Sequence, residues 1–258
     1  MHFKKSLRPL ILAAVLVLLS LSGSALASHA TQLPFAANAA AISVALGSSE
    51  DNTLYEDPTG SLSNGAGAYF FAGRTGQATG SIRRGLIRFD VAASIPPTAT
   101  IVGATLYLTM SQTVAGPEPI QLHRVTASWG EGSSNATSME GDGAPATTGD
   151  ATWIHRFYNS TLWTTPGGDF VATASATTMV DGLGRYSWST PGMVSDIQMW
   201  LNAPAANYGW VLLGSESSSK TAKRFNTREY PEPNGRPLLV VTYMLLPHKT
   251  YLPLVLES

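Results

Sequence analysis

The chain contains no cysteine among its 258 residues. This absence excludes disulfide scaffolds, thiolate metal sites and cysteine nucleophiles. Charged residues are also scarce, at 13%, against roughly 25% in an ordinary soluble domain. The formal net charge is -1, so the sequence lacks the basic excess of a nucleic-acid-binding protein. With 44% hydrophobic residues, the chain is too apolar for a disordered protein.

Catalytic motifs are missing as well. The sequence has no GxSxG, HExxH, CxxC or P-loop pattern, and GAG at 65–67 lacks the third glycine of a dinucleotide-binding loop. The letters SSSK at 217–220 match SxxK, but a polar loop does not bring serine and lysine together as a helix does. The motifs therefore predict no catalytic residue and no enzyme.

Acidic residues are the remaining route to catalysis, because glycoside hydrolysis needs two facing carboxylates. The candidates are Glu131, Glu140, Asp142 and Asp169, and nothing in the sequence pairs them. Oxygen-rich turns at 51–52 and 142–143 offer ligands for a structural Ca²⁺, although neither follows the EF-hand pattern. The sequence leaves the presence of a metal open.

The first thirty residues have the pattern of a secretory signal peptide. Lys4, Lys5 and Arg8 precede an apolar run at 10–21, and small residues follow at 25–30. The run is shorter than the ~20 residues that a transmembrane helix needs. We therefore expect cleavage after Ala27 or Ala30 and a secreted, extracellular protein with no membrane association afterwards.

The mature chain has the patterns of an all-β domain. Residues 104–110 alternate between apolar and polar side chains, and so do residues 87–91, as in half-buried strands. The runs at 210–213 and 238–241 are apolar on both faces and predict central strands. One helix is predicted at 191–201, with Thr190 as its cap and Pro191 in its first turn. Many short strands and one short helix favour a jelly-roll β-sandwich.

The predicted domain organisation is simple. Residues 1–30 are the signal peptide, 31–41 a flexible lead-in, 42–244 one β-sandwich domain and 245–258 a C-terminal tail. Residues 131–182 break the strand pattern, being rich in Gly, Ser, Thr and Asp. A structureless loop of that length is unusual in a compact domain, so we expect edge strands or a functional excursion there.

The tryptophans give the positive functional signal. Trp188, Trp200 and Trp210 lie in apolar segments and are predicted to pack in the core. Trp153 and Trp163 lie among polar residues, where an exposed indole can stack on the apolar face of a sugar ring. Core packing is the alternative for both.

Eight blocks of sequence, in order, resemble the DNRLRE domain, which is grouped with carbohydrate-binding module family 96. The blocks are DNTLY at 51–55, SNGAG at 63–67, RRGLIRFD at 83–90, IPPTATI at 95–101, HRVTASWGE at 123–131, NYGW at 207–210, FNTRE at 225–229 and PLLVVTY at 237–243. The resemblance covers residues 42–244, although the letters DNRLRE themselves do not occur. We expect a domain that stands alone, without an attached catalytic module. The resemblance implies a jelly-roll sandwich on a secreted bacterial protein that binds acidic polysaccharide such as alginate.

The leading hypothesis is therefore a non-catalytic carbohydrate-binding module whose partner is a polysaccharide or cell-surface glycan, with no nucleic acid. The alternatives are a structural or adhesive cell-surface domain without a glycan ligand, and a polysaccharide hydrolase or lyase. An acidic glycan needs a local basic patch, and the densest basic stretches supply Arg83, Arg84, Lys223 and Arg224. With Trp153 and Trp163 these are the predicted ligand-binding residues.

Two other arginines are predicted to stabilise the fold rather than bind ligand. Arg88 and Arg228 lie on predicted strands, where an unpaired guanidinium is costly to bury. We expect both to pair with carboxylates, with Asp90 or the neighbours of Glu229 as the candidate partners.

Overall fold

The structure, a computed structural model, describes residues 40–138 and 140–245. The predicted signal peptide, nearly all of the lead-in and the tail beyond residue 245 lie outside these residues. In the part of the chain that is described, no helix has the length and apolar character needed to cross a membrane.

The described residues form fifteen strands and one α-helix. The strands are β1 (Ala41–Gly47), β2 (Glu50–Tyr55), β3 (Leu62–Ser63), β4 (Tyr69–Arg74), β5 (Ile82–Arg88), β6 (Ala99–Thr113), β7 (Glu118–Arg124), β8 (Ala144–Pro145), β9 (His155–Phe157), β10 (Thr161–Leu162), β11 (Ala176–Val180), β12 (Gly184–Trp188), β13 (Trp210–Leu213), β14 (Lys223–Asn226) and β15 (Leu238–Leu245). The helix α1 spans Pro191–Asn202, and 3-10 turns span Pro204–Ala206 and Pro233–Gly235.

Eleven of these strands form one antiparallel sheet. Its order is β1-β15-β6-β14-β4-β5-β13-β7-β11, with β12 pairing β6 and β2 pairing β5. Strands β15 and β14 lie one after the other along β6, since β15 pairs with 99–107 and β14 with 110–113. The short strands β3 and β8 form one further pair, and β9 and β10 another.

The sheet curls around a single large core. Leu106 of β6 and Leu122 of β7 belong to strands far apart in the sheet order, yet both lie in one apolar cluster with residues of α1. The alternation predicted at 104–110 is confirmed, because Ala104, Leu106, Leu108 and Met110 are buried and the residues between them are only half-buried. The mainly β architecture with one helix is confirmed as a large curled antiparallel sheet.

The tryptophans of the core are placed as predicted. Trp188, Trp200 and Trp210 are fully buried, and the rings of Trp200 and Trp210 lie 4.5 Å apart between centroids. Trp210 Nε1 donates to Asp196 Oδ2 at 2.8 Å, whereas Trp200 Nε1 is buried without a partner. The core therefore contains both a satisfied and an unsatisfied indole N–H.

The predicted helix is confirmed and ends one residue later than expected. Thr190 caps it by accepting a hydrogen bond from the Met193 backbone N–H, and Pro191 stands in its first turn. Only the first two residues of the strand predicted at 87–91 belong to β5, which begins at Ile82. β5 ends at Arg88 because the backbone N–H of Val91 bonds to the carbonyl of Phe89 in a tight turn.

The stretch 131–182 contains four short strands, of which β11 lies at an edge of the large sheet. Two buried carboxylates hold its irregular backbone. Glu140 accepts from Asn64 Nδ2 at 2.9 Å and from the Tyr69 backbone N–H at 2.8 Å. Asp150 accepts from the backbone N–H groups of Thr147 at 2.7 Å and Ser133 at 2.8 Å. Side chains thus satisfy buried backbone groups that a strand ladder would otherwise satisfy.

Candidate functional site

Three of the six predicted ligand-binding residues are built into the fold. Arg83 is 1% exposed and donates to the carbonyls of Gly141 at 2.8 Å and Gly80 at 2.7 Å. Lys223 is 0% exposed, and its Nζ donates to the carbonyls of Gly116 at 2.7 Å and Asp181 at 2.9 Å. Their cationic groups are occupied by backbone oxygens, which explains how a buried charge is tolerated.

Trp163 is buried as well. It is 5% exposed, its Nε1 donates to the Thr152 carbonyl at 2.9 Å, and its ring packs in a second, smaller core with Leu54 and Trp129. Trp163 therefore packs as a core residue, which was the alternative interpretation of its sequence.

Trp153 and Arg84 come together, as the predicted site requires. The Arg84 guanidinium lies 4.9 Å from the centroid of the half-buried Trp153 ring. Arg84 also pairs through two nitrogens with Glu216, at 2.8 and 2.9 Å, and donates to the Gly167 carbonyl at 2.8 Å. Its positive charge is thus already neutralised, and it covers one face of the indole.

Arg224 lies elsewhere, on β14. Its guanidinium carbon is 3.8 Å from the centroid of the Tyr69 ring, and its Nε donates to Ser111 Oγ at 3.1 Å. The ring centroids of Tyr69 and Tyr230 lie 5.8 Å apart. The predicted site is therefore divided between two places, with Arg84 and Trp153 in one and Arg224 in the other.

Further outward-facing residues continue from Arg224. On the neighbouring strands, the Arg185 guanidinium lies 5.0 Å from the centroid of the Tyr107 ring. We call the surface formed by Tyr69, Tyr107, Arg185, Arg224 and Tyr230 the Arg–Tyr face. In the described part of the chain, Arg224 and Arg185 form no salt bridge, unlike Arg84, Arg88 and Arg228. The face therefore presents cations without a protein carboxylate partner.

A groove of about 230 Å³ adjoins the Arg–Tyr face. Its lining includes Phe71, Gln112, Val114, Asp142, Lys220 and Arg224. Gln112 and Lys220 are exposed, whereas Phe71 is buried beneath them. The groove thus combines apolar surface with two cations, one carboxylate and an amide.

Sequence reasoning found Arg224 but missed most of the Arg–Tyr face. The alternation at 104–110 shows that Tyr107 faces outward. It does not show that Arg185 lies beside it, because that follows from the register of β12 on β6, where Arg185 opposes Thr109. Tyr69 and Tyr230 carry no local signal of their own.

The arginines predicted to stabilise the fold do pair with carboxylates. Arg88 ends β5 and pairs with Glu50 rather than Asp90. Arg228 lies in the turn after β14 rather than on a strand, and pairs with Glu131 and Glu229. The predicted pairing is confirmed, and the strand position of Arg228 and the candidate partner Asp90 are wrong. Antiparallel pairing of β2 with β5 places Glu50 directly opposite Arg88.

An acidic cluster surrounds Arg228. Asp51, Glu131 and Glu229 each offer a carboxylate oxygen, and these oxygens all lie within 4.8 Å of one another. β2 supplies Asp51, the segment after β7 supplies Glu131, and the turn after β14 supplies Glu229. The side chain of Asn52 holds the backbone of Glu131 in place, because Asn52 Nδ2 donates to the Glu131 carbonyl at 2.8 Å. Gly65 allows this approach, since a Cβ there would lie 1.8 Å from the same oxygen.

The carboxylates of the acidic cluster are poorly solvated. Burial raises the pKa of Asp51 well above its ordinary value, and the nearby Glu229 raises it further. Burial also raises the pKa of Glu229 and of the neighbouring Glu50, while the adjacent arginines act in the opposite direction. These groups therefore lack the donors or positive charge that would stabilise their ionised forms fully.

The other acidic candidates have separate structural partners. Glu140 accepts backbone and amide hydrogens, and Asp142 accepts from Gln77 Nε2 at 2.7 Å. Asp169 accepts from the backbone N–H groups of Thr164 and Thr165, both at 2.9 Å. The contacts of these carboxylates are those of turns and loop anchors.

No family model matches the chain, and the search of curated proteins found no match to it. The resemblance to DNRLRE domains accordingly stays a prediction from the sequence blocks alone.

Proposed function

We propose that this chain is a secreted, non-catalytic carbohydrate-binding module that binds an acidic polysaccharide on the Arg–Tyr face. The observation that carries the proposal is Arg224, stacked 3.8 Å above Tyr69 beside the groove without a carboxylate partner in the described residues. A guanidinium binds the carboxylate of a uronic acid through paired hydrogen bonds. Tyrosine rings offer apolar faces to sugar C–H groups and hydroxyls to sugar oxygens.

The proposed fold at finer detail is a jelly-roll sandwich. Its support is the curled antiparallel sheet, in which strands distant in the sheet order bury side chains in one core. Secretion rests on the basic, apolar and small-residue regions of residues 1–30.

The charge distribution also supports an acidic ligand. The chain as a whole is slightly acidic, so a polyanion would be attracted only by a local cationic surface. Lys220 and Arg224 supply such a surface at the groove, where Asp142 is the opposing charge, and Arg185 lies beside Tyr107 on the Arg–Tyr face. Binding through these cations should weaken as salt is added.

The test is binding of full-length protein to alginate and to neutral glucans at low salt, measured by calorimetry. Arg224→Ala should lower the affinity for alginate at least tenfold while leaving the melting temperature within about 2 °C, because Arg224 is half-buried at the surface. Arg156→Ala is the matched control, since Arg156 also lies over an aromatic ring, that of Phe157, away from the groove. It should bind as the unmodified protein does.

Three outcomes would overturn the proposal. Full affinity in Arg224→Ala together with lost affinity in Trp153→Ala would move the site to the Arg84–Trp153 pair. Release of reducing or unsaturated sugars with turnover would make the protein a hydrolase or lyase. Silence towards acidic and neutral glycans alike would favour a structural or adhesive domain.

A further inference from the structure

We propose that Asp51, Glu131 and Glu229 bind one divalent cation, Ca²⁺. The site lies where β2, the segment after β7 and the turn after β14 meet. The proposal concerns a metal site and is independent of the glycan-binding proposal. The sequence left the presence of a metal at the oxygen-rich turn 51–52 open.

The first observation is a set of buried oxygens without partners. Asp51 is 0% exposed; its Oδ2 accepts from Ser48 Oγ and the Arg228 backbone N–H, both at 3.1 Å, whereas its Oδ1 has no partner. Glu229 Oε2 and Glu50 Oε2 are likewise buried and unpartnered. Buried polar atoms almost always have a partner, so the unpartnered oxygens of Asp51 and Glu229, two of the three members of the acidic cluster, indicate a missing positive ligand.

The second observation is distance. Ca²⁺ binds oxygen at 2.3–2.6 Å, so two oxygens on one ion are separated by at most about 5 Å. The ligand atoms of Asp51, Glu131 and Glu229 all lie within 4.8 Å of one another. One ion can therefore contact all three carboxylates without rearrangement of the backbone.

The third observation is charge. Four carboxylates meet here, from Glu50, Asp51, Glu131 and Glu229, against the two guanidiniums of Arg88 and Arg228. When all six groups are ionised, the excess is two negative charges, which one divalent cation neutralises. The Arg228 side chain is 41% exposed and donates to both carboxylate oxygens of Glu131. Glu131 would therefore share its oxygens between Arg228 and the ion, whereas Asp51 Oδ1 and Glu229 Oε2 have no other partner.

The donor set selects the kind of ion. Every candidate ligand is a carboxylate oxygen, and the chain has no cysteine. Hard cations prefer oxygen, and Ca²⁺ accepts irregular geometry and several carboxylates, whereas Mg²⁺ demands a near-ideal octahedron and retains several waters. A cluster set deep around the fully buried Asp51 favours Ca²⁺.

The ion would join parts of the chain that are remote in sequence. Asp51 and Glu131 are 80 positions apart, and Arg228 and Glu131 are 97 apart. A ligand that binds only the folded chain stabilises it in proportion to its concentration above the dissociation constant. The consequence is a folding stability that rises with Ca²⁺.

The experiment is calorimetric titration of the full chain, stripped with EDTA, with CaCl₂ and separately with MgCl₂, together with melting curves. We expect about one Ca²⁺ per chain, a higher melting temperature in CaCl₂ and its reversal by EDTA. Asp51→Asn should lower the Ca²⁺ affinity at least tenfold and remove the rise in melting temperature. Glu229→Gln should weaken binding in the same direction.

Glu232→Gln is the matched control, since Glu232 is an exposed residue of the same loop and the chemical change is the same as in Glu229→Gln. It should bind Ca²⁺ as the unmodified protein does. Absence of Ca²⁺ binding at millimolar concentration would overturn the proposal, as would unchanged affinity in a folded Asp51→Asn protein or a response to Mg²⁺ alone. Circular dichroism establishes that each variant is folded in EDTA.

Discussion

Two groups of buried carboxylates in this molecule differ in how their oxygens are used. Glu140 and Asp150 lie inside the irregular stretch 131–182, and backbone or amide N–H groups donate to both. Asp51 and Glu229 of the acidic cluster, and the neighbouring Glu50, each retain a buried oxygen without a partner. The first group has the contacts of structural anchors, and the second has those of the cation site that we propose.

Burial of a carboxylate therefore does not by itself indicate its role. Donors that point at an acid stabilise its charge and make it part of the fold, whereas neighbouring acids destabilise that charge. The donors to Glu140 and the acids around Asp51 come from distant strands and turns. Substitutions in the two groups should therefore have opposite effects on stability.

The largest effect is expected from Glu140→Ala. It leaves Asn64 Nδ2 and the backbone N–H groups of Tyr69 and Ala68 without their acceptor, and each buried unsatisfied donor costs free energy. We expect the free energy of unfolding to fall by about 3 kcal/mol, measured by urea denaturation. Glu140→Gln, which keeps one acceptor oxygen, should lose less, and equal losses in both variants would contradict the role assigned to the carboxylate.

A second test contrasts the two stacked core tryptophans. Trp210→Phe removes a ring and leaves Asp196 without the indole N–H, whereas Trp200→Phe removes a ring whose N–H has no partner. We expect Trp210→Phe to be the more destabilising variant by about 1–2 kcal/mol, the cost of a lost hydrogen bond to a charged group. Thermal melting of both variants under the same conditions makes the comparison, and equal costs would show that cavity size alone decides.

The third test is Asp51→Asn in EDTA. The substitution removes a buried negative charge and provides an N–H₂ group that can donate towards the neighbouring carboxylates. We expect the cation-free protein to become more stable by about 1 kcal/mol, as measured by urea denaturation. A loss as large as that of Glu140→Ala would mean that Asp51 is an anchor of the same kind.

The smallest effect concerns Asp57 and pH. Although burial acts in the opposite direction, hydrogen bonds from Ser61 and Thr59 lower the pKa of Asp57 to about 2. Since this pKa lies below the unfolded value of about 4, the contribution is present above pH 4 and is lost as pH falls towards 2. Asp57→Asn should reduce stability by about 0.5 kcal/mol at pH 7, because water screens this half-buried group at the surface.

The corresponding control is the pH at which the difference disappears. Denaturation of the unmodified and Asp57→Asn proteins at pH 7 and pH 2 should give a gap at neutral pH that closes in acid. A stability difference that persists at pH 2 would contradict this. It would mean that the shape of the side chain, rather than the charge of the carboxylate, stabilises the fold.

Much of the fold was readable from local pattern. The period of two at 104–110 predicted which side chains of β6 are buried, and Thr190 followed by Pro191 predicted where the helix begins. The apolar surroundings of Trp188, Trp200 and Trp210 predicted their burial. These features depend on neighbours within a few residues, which the sequence lists directly.

The candidate site residues were harder to predict from the sequence, because tertiary contacts decide which of them are buried. A polar neighbourhood suggested exposure for Trp163, and dense basic stretches suggested a basic patch containing Arg83 and Lys223. All three are buried, because tertiary contacts supply carbonyl acceptors for their N–H groups. The basic stretches at 83–84 and 223–224 each alternate along a strand. One residue of each pair therefore points inward while Arg84 and Arg224 point outward.

By itself the sequence determined the strand-rich character, the single helix and the identity of the aromatic core, because hydrophobic periodicity and capping act over a turn or a strand. Only the tertiary structure decided which charged groups meet. Asp51 reaches Glu131 across 80 positions, and Arg185 reaches Tyr107 through the register of β12 on β6. Register and sheet curvature are set by the packing of the whole core, so no local stretch of sequence records them.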